Sequence, residues 1–460
     1  MNHFYNPLFL SWLLKTYFLD INRLNRFDQQ KLRKFQDKQF KKMVKYAFSV
    51  PLYNEKYKKA GIQPSDINGI KDIEKLPMIT KYDVKNHYPN GIISSKTPKE
   101  KLVEISTSGT TGKSLTIFSD MYDVVRWFFL YIRILREYRI NWRKDKLTII
   151  GDFAPHTIGT GYTKKGLFTD LKKERFFSNM QWLDTNDEPA KVIKEVNMFN
   201  PDFIGGYPGM LGHLALLKHN GHGNNINPKY IATIGSVLDK NLKKLIEETF
   251  NAHVFEVYGA TESGTIAYQC KNGNYHIMSD YVYPEFLKNG EPVDSKKPGN
   301  IIITRLTGHG TPIIRYNAIN DIVAPLYEKC NCGMPGDLID RIYGRDDLSL
   351  CFSGGRLLLP VSISEIYSKI LYELKTTKVK ESKIIQHSMT KLEIQLVIDK
   401  KSIGKEPSSE EIFSIIKKGF NEKVGNEVEI ITKEIEKVSK KEPRIISKVD
   451  KSKFQTLTYI

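Results

Sequence analysis

Cysteine is scarce, with four in 460 residues. So few thiols exclude a disulfide-stapled scaffold and point to a reducing, cytoplasmic compartment. Long apolar runs are missing too: none reaches the ~18 residues that a membrane-spanning helix needs. The opening stretch, MNHFYNPLFLSWLLKTYFLDINR, comes nearest, but Lys15 interrupts it, and it has neither a basic leader nor a small-residue cleavage site. It reads as a helix packed on the rest of the protein, or as an interfacial one touching a membrane with Trp12, Tyr17 and Phe18 as amphipathic anchors. Acidic residues are in deficit, 52 against 70 basic, for a net charge of +18. No finger spacing or basic-aromatic module accompanies that excess, so nucleic acid is not an expected partner. Anionic nucleotides or an anionic membrane surface account for the charge instead. Internal repeats, low-complexity runs, a Ser-His-Asp ordering and paired-carboxylate motifs are all absent, which leaves hydrolysis without support. Nothing in the chain fixes an oligomeric state.

What is present is ordinary for a globular protein: 40% hydrophobic and 27% charged residues, in a length that buries more than one core. Leu32, Phe35, Met43, Val44 and Ala47 recur at helical spacing between Asp28 and Phe48, with lysines on the other face. A long apolar helix follows from Tyr122 to Tyr138. From residue 146 to 264 strands and helices alternate: KLTIIGDF, EPAKVIKEVNMFN, PDFIGGYP, GMLGHLALLKHNG, KYIATIGS, DKNLKKLIEETFN, AHVFEVYGATESG. Such alternation builds a mostly parallel sheet, whose ligands sit at the carboxyl ends of strands. The turns IGGYPG, IGS and YGATESG all fall at such ends and could line one crevice. After Gly264 the texture changes to short β-like pieces. A lysine-rich α+β tail closes the chain.

The stretch EISTSGTTGKSLTIF, Glu104 to Phe118, sets small hydroxyl residues and glycines between two β-prone segments. That composition lets backbone and hydroxyl donors approach phosphate. It is not a Walker A loop: Gly109 and Gly112 are two residues apart, and position 107 is Thr. A second constellation is Cys270 and His276 in CKNGNYH with Cys330 and Cys332 in EKCNCG. Three thiolates and one imidazole make a tetrahedral structural Zn2+ set, although Cys-x-Cys is tighter than the usual spacing. Such a site would staple a β-rich subdomain that lacks a large core. Cys351 is left over and reads as core.

TSGTTGK, YGATES, YNAIND and GRDD in this order resemble the adenylate-forming superfamily of acyl-CoA synthetases and adenylation domains. Within it the phenylacetate-CoA ligase and capsule-biosynthesis branch is the most similar, and YAFSVPLYNEKYKKAGIQPSDI and DIEKLPMITK resemble that branch as well. The resemblance covers almost all 460 residues. It implies an α/β fold: a large N-terminal lobe, residues 1–346, with mostly parallel sheets and the β-rich subdomain at about 265–343. A small mobile α+β C-terminal domain, 347–460, would follow.

The activity it implies is ATP-dependent, AMP-forming carboxylate activation followed by transfer to coenzyme A. Transfer to an amine or hydroxyl of a polysaccharide precursor is the alternative, and a catalytically inactive nucleotide-binding scaffold is a second. Thr107, Ser108, Gly109, Thr110, Thr111, Gly112 and Lys113 would hold the β- and γ-phosphates. Thr261 would contact the α-phosphate, Glu262 would hold Mg2+, and Tyr258, before Gly259 and Ala260, would stack on adenine. Gly235 and Ser236 would lie against the base, Asp321 would accept the ribose hydroxyls, and Arg345 would reach ribose or phosphate. Relatives carry Gly before that Asp; here it is Asn320, which tolerates a left-handed backbone. Gly206 and Tyr207, followed by Pro208, fall where the family builds its carboxylate pocket, and His156 could border it. Asp347 would mark the hinge. The family's catalytic lysine maps onto VSKKEPRIISKVDKS, where Lys441 is the candidate and Lys440 and Lys448 are rivals. Zinc is also carried by some members of this branch at corresponding positions.

Overall fold

The structure, a computed structural model, describes residues 6–107, 115–153, 157, 178–334, 336–399, 405–439, 442–454 and 457–460. Its N-terminal third is helical: α1 (Pro7–Lys15), α2 (Gln29–Ala47), α3 (Pro51–Lys59), α4 (Lys81–His87) and α5 (Met121–Glu137). In α2 the apolar positions Leu32, Phe40, Met43, Val44 and Ala47 form the buried stripe that helical periodicity demands, and the lysines stay outside. Asp28 caps its start, accepting from the Lys31 N–H at 2.7 Å. Helix α5 is buried along most of its length, with Asp120 as its N-cap. A short antiparallel hairpin, β1 (Val103–Ser106) and β2 (Thr116–Ser119), precedes it.

Beyond α5 the alternation becomes the parallel half of one twelve-stranded sheet. Strands β3 (Leu147–Gly151), β4 (Met180–Asp184), β5 (Phe203–Gly206), β6 (Tyr230–Ile234) and β7 (His253–Ala260) lie in the order β4-β3-β5-β6-β7, all parallel. Helices α6 (Pro189–Phe199), α7 (Pro208–His219) and α8 (Lys240–Phe250) make the crossovers. In α8, Leu242, Leu245, Ile246 and Phe250 share one buried face, and Asn251 ends the helix at φ 48°. The same sheet then continues antiparallel through β8 (Gly264–Gln269), β9 (Tyr275–Ile277), β10 (Val282–Lys288), β11 (Glu291–Pro292), β12 (Gly299–Arg305), β13 (Asp321–Leu326) and β14 (Leu338–Arg345). The residues after Gly264 thus extend the parallel sheet across the β7–β8 pairing, where the short turn between Ala260 and Gly264 permits only an antiparallel return.

From Leu350 on, the chain packs a core of its own around Phe352, Ile384, Ile394, Ile412 and Phe420. It comprises β15 (Leu350–Phe352), β16 (Arg356–Leu358), α9 (Pro360–Lys369), β17 (Val379–Ser388), β18 (Lys391–Ile398), α10 (Ser409–Val424), β19 (Glu429–Glu434), β20 (Ile445–Ser447) and β21 (Thr458–Tyr459). This part leans on α8, where the N-cap Asp239 also accepts from Ser364 and Ser368 of α9. Among the described residues no helix is long and apolar enough to cross a membrane.

Candidate active site

The carboxyl ends of β3, β5, β6 and β7 converge on a cavity of about 300 Å3. Gly151, Gly206, Tyr207, Gly235, Ala260 and Thr261 line its strand-end side. The turns read from the sequence as neighbours therefore do share one crevice. Gly235 has φ +88°, and a Cβ there would drive into the Tyr207 ring, so the glycine lets that ring lie flat beside the cavity. Gly264 closes the other side at φ +70°, where a Cβ would come within 2.6 Å of Trp127 Nε1. The remaining wall is apolar: Trp127, Phe128 and Tyr131 from α5, Phe153, and Met180 and Trp182 from β4. Among the described residues, Asp152 is the one charged side chain lining it.

Ser106 lines the same cavity at the end of β1. The next residue, Thr107, gives its N–H to the Leu115 carbonyl at 2.8 Å and takes the Leu115 N–H on Oγ1 at 2.9 Å. Those bonds hold Thr107 and Leu115 together next to Ser106. Ser108, Gly109, Thr110, Thr111, Gly112 and Lys113 themselves lie outside the described residues, as do His156, Lys440 and Lys441. Lys448 is exposed, with Nζ 3.3 Å from His387 Nδ1. Ser236 is exposed and lies beyond the lining residues.

Two acids flank the strand-end turns, Glu262 buried and Asp321 half-buried. Glu262, in the β7–β8 turn, is 7% exposed, and burial raises its carboxyl above the usual range. Its one hydrogen bond from a side chain among the described residues comes from Tyr316 OH at 3.1 Å, while Arg305 reaches its carbonyl at 3.4 Å. Asp321 opens β13, and burial lifts it to about 6. Tyr258 OH donates to Asp321 Oδ2 at 2.7 Å, and its ring is 8% exposed. Neither acid makes an ion pair among the described residues. Arg345 pairs in register with Asp321 across β13 and β14, and its charge draws both carboxyls down. Its guanidinium nevertheless binds Asp347, at 2.8 and 2.7 Å. Asn320 adopts φ 61°, the left-handed conformation that the substitution of Gly by Asn requires.

Sequence reading passed over Tyr316 and Lys81, whose charge reaches Glu262 from the start of α4. Tyr316 stood in the quoted YNAIND stretch. What singles it out is its bridge pairing to Ile79 and Ile303, which no local pattern records.

A separate cluster lies at the far end of β8 and β9. The turn Cys270–Gly273, with Gly273 at φ +82°, returns the chain so that Cys270 and His276 face the loop before β14. The ligand atoms of Cys270, His276, Cys330 and Cys332 all lie within 4.8 Å of one another. Cys270 Sγ and Cys330 Sγ are 3.7 Å apart. That is far beyond a covalent S–S bond and close to the ~3.8 Å edge of a tetrahedron with ~2.3 Å metal–sulfur bonds. His276 Nε2 is 3.2 Å from Cys332 Sγ, and Nδ1 is buried without a partner among the described residues. Burial holds the imidazole near 4, in its neutral ligand form. The Asn274 amide donates to Cys330 Sγ at 3.2 Å, a contact that favours thiolate. Three sulfurs and one neutral imidazole in this arrangement fit Zn2+. Cys351 is buried elsewhere, in a core of its own neighbours.

No protein-family model matches the chain. It is 24% identical over 341 residues to a phenylacetate-coenzyme A ligase of Thermus thermophilus, covering 72% of this chain and 74% of that one. It is 25% identical over 390 residues to protein CapK of Staphylococcus aureus, covering 84% and 82%. In fold it is similar to a 2-hydroxyisobutyryl-CoA ligase solved in the postadenylation state with 2-HIB-AMP. The TM-score is 0.68 at 17% identity, over 92% of this chain and 88% of that one.

Proposed function

We propose, from the premise that this chain is a relative of the phenylacetate-CoA ligases and CapK within the adenylate-forming superfamily, that it activates a carboxylic acid with ATP and passes the acyl group to coenzyme A. The observation that carries this reading is the cavity at the strand ends, flanked by two acids, Glu262 and Asp321, that accept hydrogen bonds from tyrosines and make no ion pair among the described residues. A carboxylate oxygen of the substrate attacks the α-phosphorus, and pyrophosphate leaves. The thiol sulfur then attacks the acyl carbon, and AMP leaves. Thr107 to Lys113 would hold the outer phosphates, Thr261 the α-phosphate, and Gly235 and Ser236 the base beside Tyr258. Asp321 keeps Oδ1 for the ribose hydroxyls, since Oδ2 already accepts from Tyr258. Glu262 is the residue that would hold Mg2+, whose charge offsets that of the phosphates. Arg345, released from Asp347, would join them when the part beyond residue 347 shifts, and Lys441 would stabilise the α-phosphate.

Gly206 and Tyr207 begin the acid pocket. Its aromatic walls select an apolar body, and about 150 Å3 is enough for a benzene ring, so 300 Å3 takes an aryl acid with room for its carboxylate. Dicarboxylates should fare badly against Asp152. The zinc set would act as a closed structural staple. The test is pyrophosphate exchange across a panel of aryl, short aliphatic and dicarboxylic acids, in wild type and Lys441→Ala. Mg2+-dependent exchange with an apolar acid, lost in the variant, supports the ligase. Exchange without coenzyme A consumption moves the acceptor to an amine or hydroxyl of a polysaccharide precursor. ATP binding with no exchange for any acid overturns the enzyme reading.

A further inference from the structure

We infer that the outer face of α1 seats the protein on an anionic membrane surface. Between Pro7 and Lys15 only Ser11 and Lys15 are polar, and the helix continues as a wide turn, Thr16–Asp20. A helix apolar all round belongs inside a core or a bilayer, yet this one is half outside. Its inner side is fixed: Phe9 and Trp12 pack on Tyr122 with ring centroids 5.1 and 4.8 Å away, and Tyr17 meets Phe129 at 5.8 Å. Its outer side carries Leu8, Leu14, Phe18 and Leu19, which are 78%, 54%, 66% and 49% exposed. Other large apolar side chains exposed among the described residues are scattered along the chain, so this stripe is the contiguous one.

Charge identifies the occupant. Residues 6–19 hold no acid, and between residues 6 and 50 ten lysines and arginines face three aspartates. Of those three, Asp20 pairs with Arg23, Asp28 with Lys31, and Asp37 accepts from the Ile70 N–H. Phe35 and Gln39 of α2 share a small cavity with Thr16 and Asp20, which sets α2 beside the end of the α1 segment. Helical spacing then puts the exposed Lys34, Lys38, Lys42 and Lys45 on the neighbouring outer face of α2. An apolar stripe beside lysines that make no ion pair among the described residues is the pattern of an interfacial helix on acidic lipid. A second copy would bring its own lysines against these and be repelled. The seat also lies one helix from the acid cavity. Tyr122 and Phe129 hold α1 on one side of α5, and Trp127, Phe128 and Tyr131 line the cavity on the other.

The test is sedimentation of the full chain with vesicles of phosphatidylcholine alone and of phosphatidylcholine with phosphatidylglycerol, at low and high salt. Binding to the anionic vesicles is expected, much reduced in 0.5 M salt. Leu14→Ser with Phe18→Ser should weaken it by at least about tenfold per side chain, and each of Lys34→Gln, Lys38→Gln and Lys45→Gln by about fivefold. All five positions are exposed, so far-ultraviolet circular dichroism and melting temperature should stay unchanged. Equal binding to neutral vesicles, undiminished binding of the Leu14/Phe18 variant, or light scattering that shows a dimer dissolved by Phe18→Ser would each overturn the inference.

Discussion

Asp321→Asn should make the protein more stable and its nucleotide binding worse, and the two effects come from the same carboxylate. Asp321 sits at about 6 against an ordinary value of 3.8. A carboxyl raised in the folded state contributes its full stability below pH 3.8 and loses it as the pH climbs through 6. With ~1.36 kcal/mol per unit, the folded state gives up about 3 kcal/mol across that window. Asn removes the ionisation and keeps an oxygen for the Tyr258 hydroxyl, 2.7 Å from Oδ2 in the wild type. The variant should therefore melt a few degrees higher than wild type at pH 7.5 and equal it near pH 4. If Asp321 accepts ribose hydroxyls, losing a charged acceptor costs about 1.5–3 kcal/mol, which is roughly a tenfold to hundredfold weaker ATP Kd. Wild-type affinity should also fall as the pH drops below 6, whereas that of the variant should not. Differential scanning fluorimetry at the two pH values and calorimetric titration with ATP measure both. A variant that melts lower than wild type at pH 7.5, or binds ATP equally well, refutes the reasoning.

Tyr316→Phe strips Glu262 of its one side-chain donor and should push that carboxyl higher still. The acid limb of pyrophosphate exchange should then move up by about 1–2 pH units, and an unmoved limb counts against Glu262 as the metal-holding acid. Gly235→Ala forces a Cβ into the Tyr207 ring at a left-handed φ, a strain of ~1–2 kcal/mol. Its melting temperature should drop and its KM for the acid should rise more than its KM for ATP. Purified protein should carry about one zinc per chain by elemental analysis. Cys330→Ser or a strong chelator should remove it and lower the melting temperature, with Cys351→Ser as the unaffected control.

The parts of the site that the sequence made legible are those whose chemistry is local. Gly235, Gly264 and Asn320 are written where the backbone turns left-handed, so their identity follows from their own φ. The helices and parallel strands were readable because each buries its own periodic face. The pieces that stayed hidden depend on partners far along the chain. Tyr316 reaches Glu262 only because its strand-like segment pairs with Ile303, and Lys81 does so only because Ile79 bridges to the same segment. Strand β4, MQWLD, has no β-branched residue and no alternation, so it gave no signal, although its Met180 and Trp182 wall the cavity. The cysteine–histidine set was visible as spacing, yet the spacing closes into a cluster only through the register that sets His276 opposite Leu338 on β14.

The donors chosen for the two acids have a common consequence. Tyr258 holds Asp321, and Tyr316 holds Glu262, each through a neutral hydroxyl, while the nearby guanidinium of Arg345 is turned to Asp347. A salt bridge to either acid would neutralise it and leave nothing for an incoming cation or hydroxyl to gain. A phenol satisfies part of the hydrogen-bonding demand, yet brings no positive charge and leaves the carboxyl raised. The folded chain therefore stores unfavourable electrostatics at the place where a metal–nucleotide complex would bring both positive charge and hydroxyl donors. Binding would relieve that cost. By the same argument, Glu262→Gln, which removes the ionisation and keeps an oxygen for the Tyr316 hydroxyl, should stabilise the protein at neutral pH while weakening Mg2+–ATP binding, a pair of opposite signs that a purely structural Glu262 would not produce.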